Sequence, residues 1–184
     1  VISHFPVVEM EFNAEANLVE FLFSPASVTE KQMQEAVRIA TTVIEKLEMV
    51  GVLAVEMFLC KDGQLLVNEV APRPHNSGHQ TIEGNVCSQY EQHLRAIFNL
   101  PPGDTAITQP SVMVNLLGEK DFTGDAVYEG FHEALAIPGA HIHLYGKKTT
   151  KSFRKMGHIT ITAQTLNEAR ENALKVKEIV KVKS

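Results

Sequence analysis

Two glutamates are placed where their carboxylates can meet. Glu56 and Glu69 belong to two apolar, strand-like runs, Val52–Leu59 and Gln64–Val70, which are separated by the turn sequence Lys61-Asp62-Gly63. An Asp-Gly pair between such runs predicts a β-hairpin. If that pair forms a two-residue turn, the two glutamates lie directly opposite each other. Directly opposed side chains have Cβ atoms roughly 4.5–5.5 Å apart, and like charges at that distance repel.

Such a pair of carboxylates needs a proton or a cation between them. Magnesium suits hard oxygen ligands, and one or two protein carboxylates usually hold it together with substrate phosphates. The apolar neighbours of Glu56 and Glu69 predict a hairpin that is covered on both faces, where an unpartnered carboxylate is costly. The alternative is that both carboxylates face solvent on a two-sided sheet. The covered hairpin favours the metal site.

The segment that follows, Asn68–His79, is dense in polar groups. Arg73 offers a planar guanidinium that matches a carboxylate, phosphate or bicarbonate. His75 can exchange a proton near neutral pH, and Asn76 offers both donors and an acceptor. Each of these residues alone is typical of a surface loop. Their clustering directly after the glutamate pair favours a binding or catalytic loop.

A second group of charges lies near the carboxyl end of the chain. Five cations occur within nine residues there, and they are Lys147, Lys148, Lys151, Arg154 and Lys155. In a protein of net charge −5 this group is a local anion site and not a general basic surface. A solvated turn is the simpler alternative. Nucleic acid is a weaker one, because only Tyr145 and Phe153 could stack on bases.

Weaker candidates and the composition limit the other functions. His141 and His143 share one strand face and form a possible metal pair without a third ligand. Cys60 and Cys87 are too few for a disulfide framework, and they favour a reducing cytoplasm. No apolar run approaches the roughly 20 residues that a membrane span needs, and the start of the chain does not resemble a signal peptide.

Alternating helix and strand patterns position these groups. Strands are predicted at Phe5–Phe12 and Leu18–Phe23, joined by the polar segment Asn13–Asn17. Capping-box patterns predict helix starts at Ser27, Ser88 and Thr165. The chain between the hairpin and the second helix is predicted to be a long loop. The remaining predicted elements are a strand at Ser111–Leu117, a short helix at Asp125–Leu135, and strands at His141–Tyr145 and His158–Ala163.

The polar segment and its surroundings resemble a known family, the N5-carboxyaminoimidazole ribonucleotide synthetases, which are ATP-grasp ligases. The run Arg73-Pro74-His75-Asn76-Ser77-Gly78-His79 carries the most specific similarity. The similarity covers nearly the whole chain and is weakest over the last helix. The other matching segments are Val52–Phe58, Leu66–Glu69, Gln92–Arg95, Ser111–Gly118 and His143–Lys147. Between Lys148 and Phe153 the sequence departs from the family, which more commonly has Pro-Gly before the arginine.

The resemblance implies an α+β fold with two parts. Residues 1–103 correspond to the later part of an ATP-grasp core with an antiparallel sheet, and residues 104–184 correspond to a small, β-rich carboxy-terminal domain. The implied reaction is the ATP- and Mg²⁺-dependent carboxylation of aminoimidazole ribonucleotide by bicarbonate through carboxyphosphate, in purine biosynthesis. The complete enzyme is expected to be a cytoplasmic homodimer that binds neither nucleic acid nor membrane. The family's amino-terminal and lid domains have no counterpart here, so the 184 residues alone are expected to be inactive.

The resemblance also assigns roles to residues. It implies that Glu56 and Glu69 hold Mg²⁺ and that Asn68 and Glu69 contact the nucleotide phosphates. It implies that bicarbonate or carboxyphosphate is held by Arg73, His75 and Asn76. It also implies that the 5′-phosphate of the ribonucleotide is held by Lys147 and Arg154. The formate-dependent glycinamide ribonucleotide transformylases share Arg-Pro-His and are an alternative. A non-catalytic module that binds ribonucleotides is a further alternative.

Overall fold

A computed structural model describes residues 1–13, 15 and 18–184 and has an α+β fold. The strands are β1 (Glu9–Asn13), β2 (Leu18–Ser24), β3 (Ala54–Leu59), β4 (Leu65–Ala71), β5 (Ser111–Leu117), β6 (Gly124–Asp125), β7 (Val127–Glu129), β8 (Ala140–Leu144), β9 (Thr149–Thr150), β10 (Lys155–Thr162) and β11 (Lys181–Lys183). The helices are α1 (Glu30–Lys46), α2 (Thr81–Gly84), α3 (Gln89–Ile97), α4 (Phe131–Leu135) and α5 (Leu166–Ile179). The predicted link Asn13–Asn17 lies partly outside the described residues.

The chain forms two compact units. The first comprises Val1–Val8 and Pro25–Thr108, and the second comprises Glu9–Ser24 and Gln109–Ser184. This division differs from a single boundary near residue 103, because β1 and β2 belong to the second unit. They do so because β2 pairs with β5 and therefore completes the sheet of that unit.

The first unit contains the hairpin of β3 and β4 and the helices α1, α2 and α3. Helix α1 begins after Thr29, whose hydroxyl accepts from the Gln32 N–H while the Gln32 side chain accepts from the Thr29 N–H. The predicted capping box at Ser27 is therefore wrong by two residues. Ser27 and Thr29 both have an acidic or amide side chain three positions on, so the pattern alone does not distinguish them, and the Thr29–Gln32 pair is the one that caps the helix.

The segment between β4 and α3 is more regular than the predicted loop. It contains a 3₁₀ turn at Asn76–Gly78 and the short helix α2. Helix α3 begins where predicted, since the Ser88 hydroxyl accepts from the Glu91 N–H at 3.2 Å. The 3₁₀ turn is too short to produce a hydrophobic period in the sequence, which explains why the pattern did not predict it.

The second unit is built on a five-stranded antiparallel sheet in the order β1-β2-β5-β10-β8. Its central strands β5 and β10 are almost wholly buried, which agrees with the largely apolar sequence of β5. Helix α5 buries Ala169, Ala173 and Val176 in the core of this unit, as their i, i+4, i+7 spacing requires. Its cap is the predicted one, with the Thr165 hydroxyl accepting from the Glu168 N–H.

One prediction in the second unit is wrong, and one strand of that unit was not predicted. The expected helix Asp125–Leu135 is a strand, β7, followed by the five-residue helix α4. Gly130, with φ +78°, separates the two elements, and a Cβ atom at this position would lie 2.3 Å from the Ile179 carbonyl oxygen. The chain after α5 is β11, which pairs with β7 and was not predicted. Among the described residues, no helix is both long enough and apolar enough to cross a membrane.

Candidate functional site

The predicted glutamate pair is present in the hairpin. Glu56 and Glu69 are direct antiparallel partners, so their side chains leave the same face of the strand pair. The turn, however, has three residues and not two, because Cys60 N–H donates to the Gln64 carbonyl at 2.8 Å. Gly63 occupies the left-handed conformation that such a loop requires, with φ +87°.

A β-bulge reconciles the longer turn with the predicted pairing. Met57 pairs with Val67 and Glu56 pairs with Glu69, which leaves Asn68 as one extra residue on β4. The extra residue in the turn and the extra residue in the bulge compensate each other, so the glutamates still meet. Bulges bend a strand and redirect side chains, and they are frequent beside active sites. Asn68, one of the predicted phosphate contacts, is the residue that the bulge redirects.

The third member of this group is His75. Its imidazole lies against both carboxylates, with Nδ1 3.7 Å from Glu56 Oε1 and Nε2 4.0 Å from Glu69 Oε1. The side chains of His75 and Glu56 are each 13% exposed, whereas that of Glu69 is 55% exposed. One carboxylate is therefore sheltered and the other is open to a ligand. We call Glu56, Glu69 and His75 the acidic cluster.

The hairpin that carries the acidic cluster is not covered on both faces, as its apolar residues had suggested. Five large apolar side chains of the hairpin are between 37% and 53% exposed, and they are Phe58, Leu59, Leu66, Val67 and Val70. The cause is topological, since β3 and β4 form a two-stranded sheet of their own. The argument for a metal from complete burial therefore fails. The argument from opposed charges remains.

Short-range hydrogen bonds shape the loop that follows β4. The Nδ1 atom of His75 accepts from the Ser77 N–H at 3.4 Å and lies 2.9 Å from the Ser77 hydroxyl. Asn76 opens the 3₁₀ turn. Arg73 is exposed, and its guanidinium donates to the Pro74 carbonyl at 3.1 Å. The structure thus brings His75 to the glutamates, while Arg73 is held beside its own backbone.

A residue that the sequence did not single out anchors this loop. Gln89, at the first position of α3, is 2% exposed and accepts from the His75 N–H at 2.9 Å. Its amide nitrogen donates to the His75 carbonyl at 2.9 Å. Position 89 follows a helix cap in the sequence, where a glutamine is ordinary, so no sequence signal distinguishes it.

The predicted anion site lies in the second unit, on the chain between β8 and β10. The ammonium of Lys147 donates to the Lys155 carbonyl, and the Arg154 guanidinium donates to the Thr149 carbonyl at 3.0 Å. Burial, followed by the positive charges of Arg154 and Lys155, lowers the pKa of Lys147 below its ordinary value of 10.5. A cation that is disfavoured in this way gains from a bound anion. We call Lys147 and Arg154 the basic pair.

The turn before Arg154 contains a residue in a strained backbone conformation. Phe153, directly before Arg154, adopts a left-handed backbone with φ +61°. Two hydrogen bonds maintain this turn, from the Phe153 N–H to the Gly118 carbonyl at 2.8 Å and from the Arg154 N–H to the Lys151 carbonyl at 3.0 Å. The backbone therefore adopts, with phenylalanine, a conformation that glycine adopts more easily.

Lys147 lies beside a group of packed rings formed by Tyr145, His158 and His143. Its ammonium lies 5.6 Å from the centroid of the Tyr145 ring, and the Tyr145 hydroxyl is 3.1 Å from His158 Nδ1. His158 in turn stacks on His143, with ring centroids 4.6 Å apart. His143 thus packs against an aromatic stack. The sequence did not predict this stack, since it joins two strands whose pairing was unknown.

The described part of the chain contains no group of three or more His, Cys, Asp or Glu side chains that could hold a metal ion. This finding gives no support to a metal site at His141 and His143. It is compatible with magnesium at Glu56 and Glu69, because that ion needs only one or two protein carboxylates when phosphates supply the other ligands. Their opposed carboxylates are hard oxygen donors on one face of the hairpin, which fits such an ion.

Two family models match the chain. Residues 2–90 match the ATP-grasp domain, and residues 111–172 match the phosphoribosylaminoimidazole carboxylase C-terminal domain. The N5-carboxyaminoimidazole ribonucleotide synthase of Bacillus subtilis is 45% identical over 168 residues, which cover 91% of this chain and 42% of that protein.

Solved structures give the same result. N5-carboxyaminoimidazole ribonucleotide synthetase from Thermotoga maritima superimposes with a TM-score of 0.90 at 52% identity, covering 98% of this chain and 48% of the other. The synthase from Aspergillus clavatus, solved in complex with ADP and 5-aminoimidazole ribonucleotide, has a TM-score of 0.82 at 38% identity and covers 95% and 46%. The chain spans less than half the length of these relatives.

Proposed function

The chain belongs to the N5-carboxyaminoimidazole ribonucleotide synthetase family of ATP-grasp proteins, and from this premise we propose that it serves a carboxylating ligase of purine biosynthesis. The complete enzyme uses ATP and Mg²⁺ to activate bicarbonate as carboxyphosphate. The exocyclic amine of aminoimidazole ribonucleotide then attacks the activated carbon, and phosphate leaves. The products are N5-carboxyaminoimidazole ribonucleotide, ADP and phosphate.

The observation that carries this proposal is the direct pairing of Glu56 with Glu69 beside His75. Two carboxylates on one strand face supply oxygen ligands for a Mg²⁺ that also binds ATP phosphates. When bound, the ion neutralises charge that develops as the phosphoryl group moves. Glu69 is the more exposed of the two and contacts the nucleotide together with Asn68.

The loop after β4 holds the small anion. His75, already fixed between the carboxylates and the anchored loop, donates to bicarbonate or carboxyphosphate. Asn76 and the exposed guanidinium of Arg73 complete the set of donors. The Arg73 guanidinium donates to the adjacent Pro74 carbonyl, and an exposed side chain with so local a contact can turn to a ligand at little cost.

The basic pair holds the 5′-phosphate of the ribonucleotide. Lys147 carries a lowered pKa because it is partly buried beside other cations, and a phosphate relieves that electrostatic penalty. Arg154 supplies a second charge-assisted contact. The neighbouring cations Lys148 and Lys151 are exposed and are not needed for this role.

Measuring which anion drives ATP hydrolysis tests the proposal. The complete protein, supplied with ATP, Mg²⁺ and aminoimidazole ribonucleotide, should release ADP when bicarbonate is added. Formate, with glycinamide ribonucleotide as acceptor, should have no effect. ADP release driven by formate would instead assign the chain to the formyl-transferring relatives, and the absence of release with either anion would leave only a ribonucleotide-binding role.

The chain of 184 residues alone should release no ADP, because it spans less than half the length of its relatives. Bicarbonate-dependent release from this chain would contradict that expectation. We further propose that the complete enzyme is a cytoplasmic homodimer. Sedimentation equilibrium of the complete protein would test the assembly, and a mass of one protomer would refute it.

A further inference from the structure

The amide of Gln89 is fixed by the backbone of the substrate-binding loop. It accepts from the His75 N–H and donates to the His75 carbonyl, each at 2.9 Å. A backbone N–H can only donate and a carbonyl can only accept, so the orientation of this amide is unambiguous. Because Gln89 is 2% exposed, water does not compete for these bonds.

The fixed amide sets the chemistry of a second histidine. The Nε2 atom of Gln89, which must be a donor, lies 2.8 Å from Nδ1 of this histidine, His79. The Tyr90 hydroxyl also lies 2.9 Å from that nitrogen, and burial raises the pKa of Tyr90 so that it keeps its proton. Because Gln89 Nε2 can only donate, His79 Nδ1 must accept, and the Tyr90 hydroxyl then donates to it as well. The proton of the neutral imidazole is then on Nε2.

We infer that Gln89 is a positioning residue that anchors the loop after β4, which is proposed to hold the small anion, and that it holds His79 of the same loop as the Nε2–H tautomer. This inference rests on the proposed function only for the identity of the anion, bicarbonate or carboxyphosphate. Gln89 acts through His75 and His79 and does not contact the substrate.

Gly78 provides independent support for the anchor. A Cβ atom at this position would lie 2.5 Å from Gln89 Oε1 and 2.7 Å from its Cδ. The loop therefore passes so close to the amide that no side chain fits between them. Gly78→Ala should displace the Gln89 side chain and give the same effects as a substitution at Gln89 itself.

The test is ¹⁵N NMR of the histidine rings in the 184-residue chain at neutral pH. The unsubstituted protein should show His79 protonated at Nε2 only. Gln89→Glu should move the proton to Nδ1, because the carboxylate oxygen facing that nitrogen can only accept. Gln89→Met, which removes both donor and acceptor at similar volume, should leave a mixture of tautomers. A merely structural role would change stability in all variants without this reversal.

The functional arm uses the complete protein. Gln89→Glu should raise the KM for bicarbonate by about tenfold, in the range of 10–100-fold that loss of a supporting hydrogen-bond partner costs, and leave the KM for ATP within about twofold. If the unsubstituted protein shows no bicarbonate dependence, the proposed function fails while the tautomer result stands by itself. A bicarbonate-dependent enzyme with unchanged KM in this variant overturns the inference.

Two further outcomes decide the remaining cases. A His79 signal with a proton on Nδ1 in the unsubstituted chain contradicts the inference directly. If Gln89→Glu does not fold, Gly78→Ala takes its place. Its His79 tautomers should become mixed as in Gln89→Met, and retention of the pure Nε2–H form there would also overturn the inference.

Discussion

The acidic cluster and the basic pair differ in what holds their charged atoms in place. Glu56 and Glu69 are opposed because strand pairing sets their register, and His75 joins them through a loop that is anchored by a buried amide. Lys147 and Arg154 instead lie outside the strands, and side-chain hydrogen bonds hold them, from Lys147 to the Lys155 carbonyl and from Arg154 to the Thr149 carbonyl and hydroxyl. One group is set by repeating backbone geometry, and the other depends on the conformation of one turn.

This difference teaches where substitutions should act. In the acidic cluster the scaffold is independent of the charges, so removing a charge should remove function and leave the fold. In the loop of the basic pair the backbone itself is strained at Phe153, with φ +61°. There, a change without any charge should alter stability.

Glu69→Gln should have the largest effect. In the complete enzyme it should lower bicarbonate-dependent ADP release by more than about 100-fold, since even outer partners of a metal site cost 10–100-fold. The midpoint of thermal unfolding should hardly move, because Glu69 is 55% exposed. Glu45→Gln, an exposed change on α1, is the control. Full turnover at saturating Mg²⁺ would exclude the metal role.

Lys147→Met should come next, and it tests the basic pair by itself. Calorimetric titration of the 184-residue chain with aminoimidazole ribonucleotide should show about tenfold weaker binding, since a hydrogen bond to a charged group contributes about 1.5–3 kcal/mol. Lys148→Met removes an exposed cation from the same loop and should change the affinity by less than about twofold. Equal losses in the two variants would indicate a diffuse charge effect and no specific site.

The affinity for the ribonucleotide should also depend on pH, with a smaller change than Lys147→Met causes, and this dependence should come from Lys147. Lys147 has a pKa below 10.5 because of burial and neighbouring cations. Its ammonium is present below that lowered pKa and is lost as the pH rises through it. Affinity for the ribonucleotide should therefore fall at a lower pH than an ordinary lysine would give, and Lys147→Met should abolish that fall. An affinity that stays constant up to pH 10.5 would contradict the assignment.

Phe153→Gly should show the smallest effect, on stability. A left-handed conformation costs a non-glycine residue about 1–2 kcal/mol, and glycine avoids this cost. Phe153→Ala removes the same ring but keeps the Cβ atom, so it is the matched control. The glycine variant should exceed the alanine variant by about 1 kcal/mol in the free energy of unfolding measured with urea. No difference between them would show that the turn is not strained.

Sequence reasoning succeeded where periodicity or pairing decides the structure. The α+β class, strand β5 and the starts of α3 and α5 follow from apolar patterns and caps. Glu56 opposite Glu69 was also predicted, although through a two-residue turn that does not exist. A turn and a bulge produced the same register, and no local sequence rule distinguishes the two routes.

The sequence could not supply contacts between distant segments. The Gln89 amide meets His75 and His79 across 14 and 10 residues, and His158 meets His143 only because β8 and β10 pair. Likewise, β11 exists only because β7 accepts it as a partner. Such features arise from tertiary packing, which overrides or adds to local propensity.

The bulge at Asn68 gives the β4 side of the hairpin one residue more than the β3 side between the turn and the two glutamates. Lengthening the turn at Lys61–Gly63 leaves the pairing of the glutamates unchanged, because the pairs from Leu59 to Met57 separate the turn from the bulge. Deleting Asn68 would leave Glu69 opposite Glu56 in regular pairing, whereas the unchanged sequence paired without the bulge would put Asn68 opposite Glu56 and turn Glu69 to the other face. The position of the second carboxylate therefore depends on where β4 takes up its extra residue and not on the length of the turn.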